Sequence, residues 1–401
     1  MVSEIDDHAR GFGWKVAWAA FLIAAFAWGV GFYGPSVFLQ ILHADPGWPI
    51  STISAAITTH FLVGAALVIF LPEAHRRFGI AAVTQAGVVL AALGVVAWAN
   101  VRAPWQLFAA ALLSGTGWAA TSGAALNAMV APWFHQDRPK ALSLAFNGAS
   151  VGGLILTPVW VALIARLGFA SAAAVIGATM VVVLCPVIAG FLRPRPATAG
   201  SALPGAGRNA ARSGLRRAEL LRDRRFITIS AAFALGLFAQ VGLFAHLVTR
   251  LDPELGSSAA AWAISLAAVC AVAGRMIFGW LIGNRDRRAG AALNFLMQAC
   301  GTGLLALGSG APMLLCGCVL FGLGVGNLIS VPPLIAQKEF AAADVSKVVA
   351  LIVAINQAVF AFAPAALGAL RDLEGSYAPA FGIAAAIQVA AALIVIANRR
   401  T

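Results

Sequence analysis

Arg275 stands inside AVCAVAGRMIFGWLIG, residues 268–283, a run that is apolar apart from this one side chain. The nearest acidic residue along the chain, Asp286, falls beyond the run. A charge inside a membrane segment costs a few kcal/mol on insertion scales, so it marks a functional site by default. Arginine does not readily lose its proton, and its planar fork matches a carboxylate bidentately. Capture of an anion is the chemistry on offer. The plainer alternative is a structural arginine satisfied by helix carbonyls and water.

Other polar side chains fall in similar surroundings. At about 1.5 Å per residue, Arg275 lies roughly 7–8 Å from the middle of its segment, and Asn147 lies at a similar depth in another. Asn147 can donate to the same anion or simply line a helix contact. Asn356 and Gln357 are adjacent, so at most one of them faces a cavity. Asn327, Ser330 and Thr121 are further substrate-binding candidates. Trp28 and Tyr33 suit the walls of a small-anion site, or else they only pack. His60 is the proton-coupling candidate, because imidazole titrates near neutrality. Its plainer role is a hydrogen bond to a neighbouring helix. His246 and Gln240 sit in a later segment, and neither is expected to act. All fifteen acidic residues lie in termini, loops or helix ends, which counts against an exporter that binds cations at an embedded carboxylate.

These residues need elements to position them, and composition says which. The chain has 401 residues, 61% hydrophobic and 10% charged, where soluble domains carry about 25% charged residues. Mean hydropathy is +0.89. Apolar stretches long enough to span a bilayer as helices fall at 14–42, 52–72, 80–100, 105–131, 140–165, 169–192, 226–250, 258–282, 289–309, 312–335, 347–370 and 377–398. They are too long for the strands of a membrane barrel. The net charge of +12 reports orientation. Arg102, Arg166, Arg250 and Arg371 fall on one side and Arg275 within the membrane. Every other Lys and Arg falls on the opposite side, which the positive-inside rule makes cytoplasmic, with both termini. No nucleic-acid partner is implied.

The one long hydrophilic interior segment, 193–224, is rich in Pro, Gly, Ser and Arg and reads as a linker. It divides the chain into a six-helix half at 1–192 and another at 225–401. A weak repeat supports the division: GTGWAATSGAALN at 115–127 resembles GLGVGNLISVPPL at 322–334. Likewise GRMIFGW followed by NRDRR echoes the HRRFG after the second stretch. Cys185, Cys270, Cys300, Cys316 and Cys318 lie in apolar segments without disulfide or zinc spacing and read as small core residues. GASVG at 148–152 fits a serine-hydrolase elbow, and the G-x-G-x-G at 322–326 fits part of a dinucleotide fingerprint. Both lack the strand those motifs need and read as helix-packing features.

The segment WFHQDRPKALSLAFNGASVGG, 133–153, resembles the signature between helices 4 and 5 of the monocarboxylate transporter family of the major facilitator superfamily. Trp133, Phe134, Arg138, Ala141, Ala145, Gly148 and Gly152 match, whereas Asp137 replaces a basic residue and Ser143 a glycine. Gly274, Arg275 and Gly279 also resemble that family and its oxalate/formate exchanger relatives. There, an arginine at this place contacts the substrate carboxylate. In the superfamily helices 5 and 8 face each other, which would bring Asn147 toward Arg275. The chain also departs from the pattern. Arg76 and Gly283 stand where the loop motifs carry Asp, the lysines of helices 1 and 11 are missing, and Ala271 occupies the place of an Asp in animal relatives.

The resemblance implies an all-α membrane protein, with twelve transmembrane helices in two pseudo-symmetric halves of the major facilitator fold. The expected activity is secondary active transport of a small organic anion, a carboxylate, by alternating access. Exchange and proton-coupled symport are both open as the mode. The alternatives are an exporter of amphipathic compounds and a non-transporting sensor. No enzyme activity, cofactor or metal is expected. The expected setting is a monomer in a bacterial inner membrane, moving its anion with or against a coupled ion.

Overall fold

The computed structural model describes residues 2–44, 48–134, 137–193, 215–282 and 285–397, in two compact units, Met1–Gly214 and Leu215–Thr401. In a bilayer the backbone must satisfy its own hydrogen bonds, so the apolar stretches fold as helices. The first unit contains α1a (Val2–Gly31), α1b (Gly34–Ala44), α2a (Ile50–Val68), α2b (Leu71–Phe78) and α3 (Ile80–Ala99). It continues with α4a (Pro104–Thr121), α4b (Gly123–Val130), α5 (Arg138–Leu167) and α6 (Phe169–Phe191). The second unit contains α7 (Arg224–Leu255), α8 (Ser257–Ile282), α9 (Arg287–Leu307), α10a (Ala311–Val325) and α10b (Asn327–Glu339). It ends with α11a (Ala342–Phe360), α11b (Ala363–Glu374) and α12 (Tyr377–Ile396).

Each of the twelve apolar stretches is one helix or a broken pair. Among the described residues ten helices are long and apolar enough to cross a membrane, and an eleventh crossing counts α2a with α2b, bent by 59°. The remaining stretch is α4a and α4b, interrupted at Ser122. The linker beyond Arg193, up to Gly214, and the loop residue Gly283 lie outside the described residues.

The two units pair their helices in the same way. In the first, α1a packs along α5, α4a along both α2a and α3, and α3 along α6. In the second, α7 packs along α11a, α10a along both α8 and α9, and α9 along α12. The sequence repeat is thus a repeat of packing. The fourth span of each unit is broken, at Ser122 and at Gly326, three residues apart in the aligned repeat.

Close approach explains the two false motifs. A Cβ on Gly148 would stand 2.0 Å from the Phe21 carbonyl oxygen, and one on Gly152 2.0 Å from that of Ala25. The GASVG run is therefore the surface on which α1a meets α5. In the G-x-G-x-G run, Gly322 faces Ala267, Gly324 faces Gln298 and Gly326 faces Arg275. Gly152→Ala is expected to lower the thermal-unfolding midpoint in detergent, because overpacking costs about 1–3 kcal/mol and the obstacle is backbone. Gly303→Ala, with open space at its Cβ, is expected to leave the midpoint unchanged. Equal effects would contradict the packing.

Three glycines with positive φ make one-residue connections, and Gly79 (φ +82°) is the one between α2b and α3. Gly168 (φ +77°) alone separates α5 from α6, and Gly256 (φ +78°) alone separates α7 from α8. A side chain is disfavoured in that backbone region.

One reading of the cysteines is corrected. Cys318 is buried and Cys185 and Cys270 are half-buried, but Cys300 and Cys316 are exposed. On a membrane helix an apolar thiol can face lipid as readily as core. Trp262 and Trp280 of α8 are exposed in the same way.

Candidate functional site

In the first unit the polar chemistry gathers where α2a crosses α4a. His60 is 1% exposed, and its Nδ1 lies 2.8 Å from Ser114 Oγ. The Trp98 indole N–H donates to the same oxygen at 3.0 Å, and the Ser114 hydroxyl lies 2.9 Å from the Ala110 carbonyl. His60 Nε2 is buried, and the ring has a backbone hydrogen bond to Gly31. Beside the ring lies a cavity of about 20 Å³, lined among others by Gly31, Pro35, Trp98, Ser114, Trp118 and Thr121. The Thr121 hydroxyl donates to Gly117 within its own helix at 2.9 Å.

The aromatic candidates pack. Trp28 meets Trp118 edge-on at 4.8 Å and Phe146 at 6.5 Å. Tyr33 follows the break after α1a and is half-buried, its ring filling the space a Cβ on Gly153 would need. Asn147 is buried on α5. Tyr33 and Asn147 are not part of the cavity lining. Arg138, from the signature segment, donates to the carbonyls of Ala131 and Phe134 at 2.8 and 2.7 Å and so holds the turn into α5.

In the second unit Arg275, Asn327 and Ser330 meet at the break in the tenth span. Gly274 presses on the Leu323 carbonyl, which a Cβ would reach at 2.0 Å, and this brings the next residue onto the break. Arg275 is 1% exposed, and its Nε–H donates to the Gly326 carbonyl at 2.9 Å. Part of the fork is therefore spent on backbone, as the plainer reading of Arg275 anticipates. The Ser330 hydroxyl approaches the same carbonyl at 3.4 Å. The Asn327 amide donates to Asn294 Oδ1 at 2.8 Å, and its own Oδ1 is buried without a partner. Asn356 and Gln357 are both buried on α11a, and Asn356 Oδ1 also lacks a partner. His246 is held at both ring nitrogens, by the Pro364 carbonyl at 2.8 Å and the Tyr377 hydroxyl at 3.2 Å.

Sequence reasoning missed three groups. Ser114 holds His60, and the Trp98 indole in turn holds Ser114. Gln240, Gln298, Gln388 and Thr302 form a buried ladder with contacts of 3.3, 3.3 and 2.9 Å. Its signal was available, since Asn294, Gln298 and Thr302 recur every four residues on one face of α9. The third group is an ion pair: Arg288 grips Glu339 bidentately at 2.6 and 2.8 Å. Arg288 also donates to Thr228 and to the Arg225 and Val395 carbonyls, tying α7, α9, α10b and α12 together. Beside it, a hydrogen bond from the Arg225 side chain holds the Asp223 carboxyl below its ordinary pKa.

Comparison with known proteins places this arrangement among transporters. The family described as Major Facilitator Superfamily matches residues 16–364. Mouse monocarboxylate transporter 11 is 27% identical over 393 residues, covering 92% of this chain and 84% of that protein. Rat monocarboxylate transporter 13 is 25% identical over 412 residues, covering 99% and 91%. Among solved structures, the human organic anion transporter MFSD10 (TETRAN) superposes with a TM-score of 0.73 at 14% identity, over 96% of this chain and 99% of that one. The E. coli fucose:proton symporter FucP gives 0.66 at 16% identity, over 97% of each chain. At such identities the structures speak for the fold alone.

Proposed function

The chain belongs to the Major Facilitator Superfamily, a family of multi-pass membrane transporters, and from that premise we propose that it moves a small organic anion, a carboxylate, by alternating access. The observation that carries the reading is Arg275: a permanently charged fork buried in an apolar helix and seated on the Gly326 break. A broken helix has backbone groups that can exchange partners as it moves. The hydrogen bond from Nε to the Gly326 carbonyl ties the position of this charge to the break. Asn327 and Asn356 bring amides to the same unit. The curated relatives named as monocarboxylate transporters support the substrate class. The mode is exchange or proton-coupled symport, and the Lys and Arg distribution supports cytoplasmic termini.

The test is thermal unfolding of purified protein against a panel of small mono- and dicarboxylates, their neutral amides and amphipathic cations. A ligand of the native state at 100 times its Kd stabilises by about 2.7 kcal/mol. Stabilisation by a carboxylate and not by its amide is the expected result. Stabilisation by the cations alone would replace this reading with export of amphipathic compounds.

A further inference from the structure

A cavity of about 410 Å³ opens at the basic end of the first unit, apart from the His60 contacts. Small-ligand sites run to about 300–1,000 Å³, so it has room for more than bridging water. At this place α2b ends, α3 begins and α6 ends, and Trp133 adds a ring from the turn before α5. The setting is a membrane interface. The apolar run of α3 is preceded here by Arg76 and Arg77, and that of α6 is followed by Arg193.

The lining offers positive charge and donors. It contains no acidic residue and one permanent cation, Arg193, which is exposed and has no ion pair among the described residues. Arg76 and Arg77 are exposed on the same helix end, and Glu73, the acid nearest to them along the chain, is paired with Arg76 at 3.6 Å. Residues 79–82 of the wall are the N-cap and first turn of α3. The first N–H groups of a helix have no intrahelical partner, and Gly79 at the cap has no side chain to give them. Such groups favour an anion, phosphate included. His75 also lines the cavity, and its Nε2 is buried without a hydrogen-bond partner. Gln85 donates its amide to the Cys185 carbonyl at 3.2 Å and keeps its oxygen as an acceptor. Deeper along the same two helices, Val89 and Leu93 of α3 and Val182 of α6 are exposed.

We propose that this cavity holds the headgroup of an anionic phospholipid. Its phosphate takes the free N–H groups of α3 and the Arg193 guanidinium, and its acyl chains lie against Val89, Leu93 and Val182. A glycerol headgroup, as in phosphatidylglycerol, brings hydroxyls that can donate to Gln85 Oε1 and to a bare nitrogen of His75. A choline headgroup would instead bring its ammonium beside arginines, with no carboxylate in the lining to receive it. The occupant is an amphiphile because apolar surface runs on from the cavity into the span, and a soluble phosphate ester would leave that surface uncovered. A lipid held here splints α2b, α3 and α6 at the bent end of the second span. The site depends on residence in a bilayer and not on which substrate is carried.

Native mass spectrometry of the full chain, released from nanodiscs of phosphatidylglycerol and phosphatidylcholine in equal parts, shows which lipid stays bound. Phosphatidylglycerol should be retained and phosphatidylcholine lost. Titration of delipidated protein in detergent then gives the affinity. Arg193→Gln should weaken phosphatidylglycerol binding by about fivefold or more. His75→Phe, which keeps a ring and removes its nitrogens, should weaken it as well. Arg222→Gln, which removes a like charge outside the lining, should leave it unchanged. Unfolding midpoints in lipid-free detergent confirm that each variant is folded. Equal retention of the two lipids, or equal losses in Arg193→Gln and Arg222→Gln, would reduce the binding to diffuse attraction and overturn the site. Glycerol 1-phosphate at the concentration of the lipid should fail to displace it. Displacement would make a soluble phosphate ester the occupant and overturn the lipid assignment.

Discussion

Arg275→Gln is expected to cut initial uptake of a labelled carboxylate by about 100-fold or more while the protein remains folded. Removing one partner of a buried, hydrogen-bonded charge pair costs about 2–5 kcal/mol, and each 1.4 kcal/mol is about tenfold. Glutamine retains an amide that can still donate to the Gly326 carbonyl, so the break in α10 keeps a partner and stability falls little. Arg275→Lys restores the charge without the fork and should recover only a small part of the rate. Uptake in proteoliposomes, with unfolding midpoints measured in parallel, separates the two effects. Wild-type rates in the glutamine variant would mean that Arg275 serves the helix break alone.

Arg288→Met is expected to be the most destabilising single change in the second unit, at about 3–5 kcal/mol. It strands Glu339, which is 22% exposed where Arg288 is 4% exposed. It also removes the donor to Thr228 and two carbonyls. Arg288→Met combined with Glu339→Met should recover part of that loss, because exchanging a buried pair for apolar side chains is often neutral. Unfolding midpoints of the two single variants and the double variant give the coupling. Simple additivity would show that the two groups do not act as a pair. Transport by whatever protein survives in the single variant should resemble wild type, since no residue of this cluster lies at the α10 break.

The apolar stretches were legible because a bilayer demands about 20 such residues per crossing, and no packing detail can hide that. The breaks within them were not. Hydropathy averages over a window, and Ser122 or Gly326 changes such an average little. Only the local chemistry, Gly31 and Gly34 followed by Pro35, hints that the first span is two helices. The candidate site divided in the same way. The residue types were readable: a buried arginine, a central histidine, a few amides. Their partners were not, because Ser114 comes 54 residues after His60 and Gly326 51 residues after Arg275. Such contacts follow from helix pairing, which one sequence does not display. The α9 face is the exception, since Asn294, Gln298 and Thr302 repeat at the helical period and could have been read as a polar seam.

The single-glycine turns at Gly168 and Gly256 bear on how the chain enters its membrane during synthesis. With one residue between Leu167 and Phe169, no loop is long enough for α5 to settle across the bilayer while α6 waits outside. The two must partition together as a preformed hairpin, and so must α7 and α8. The apolar surface of each partner then shares in the insertion of the other. The helix that carries Arg275 is thereby delivered by its neighbour α7, whose long apolar run offsets the cost of bringing a charge out of water. Lengthening the Gly256 turn with a flexible polar insert would uncouple that delivery, and α8 would have to enter the bilayer on its own hydropathy.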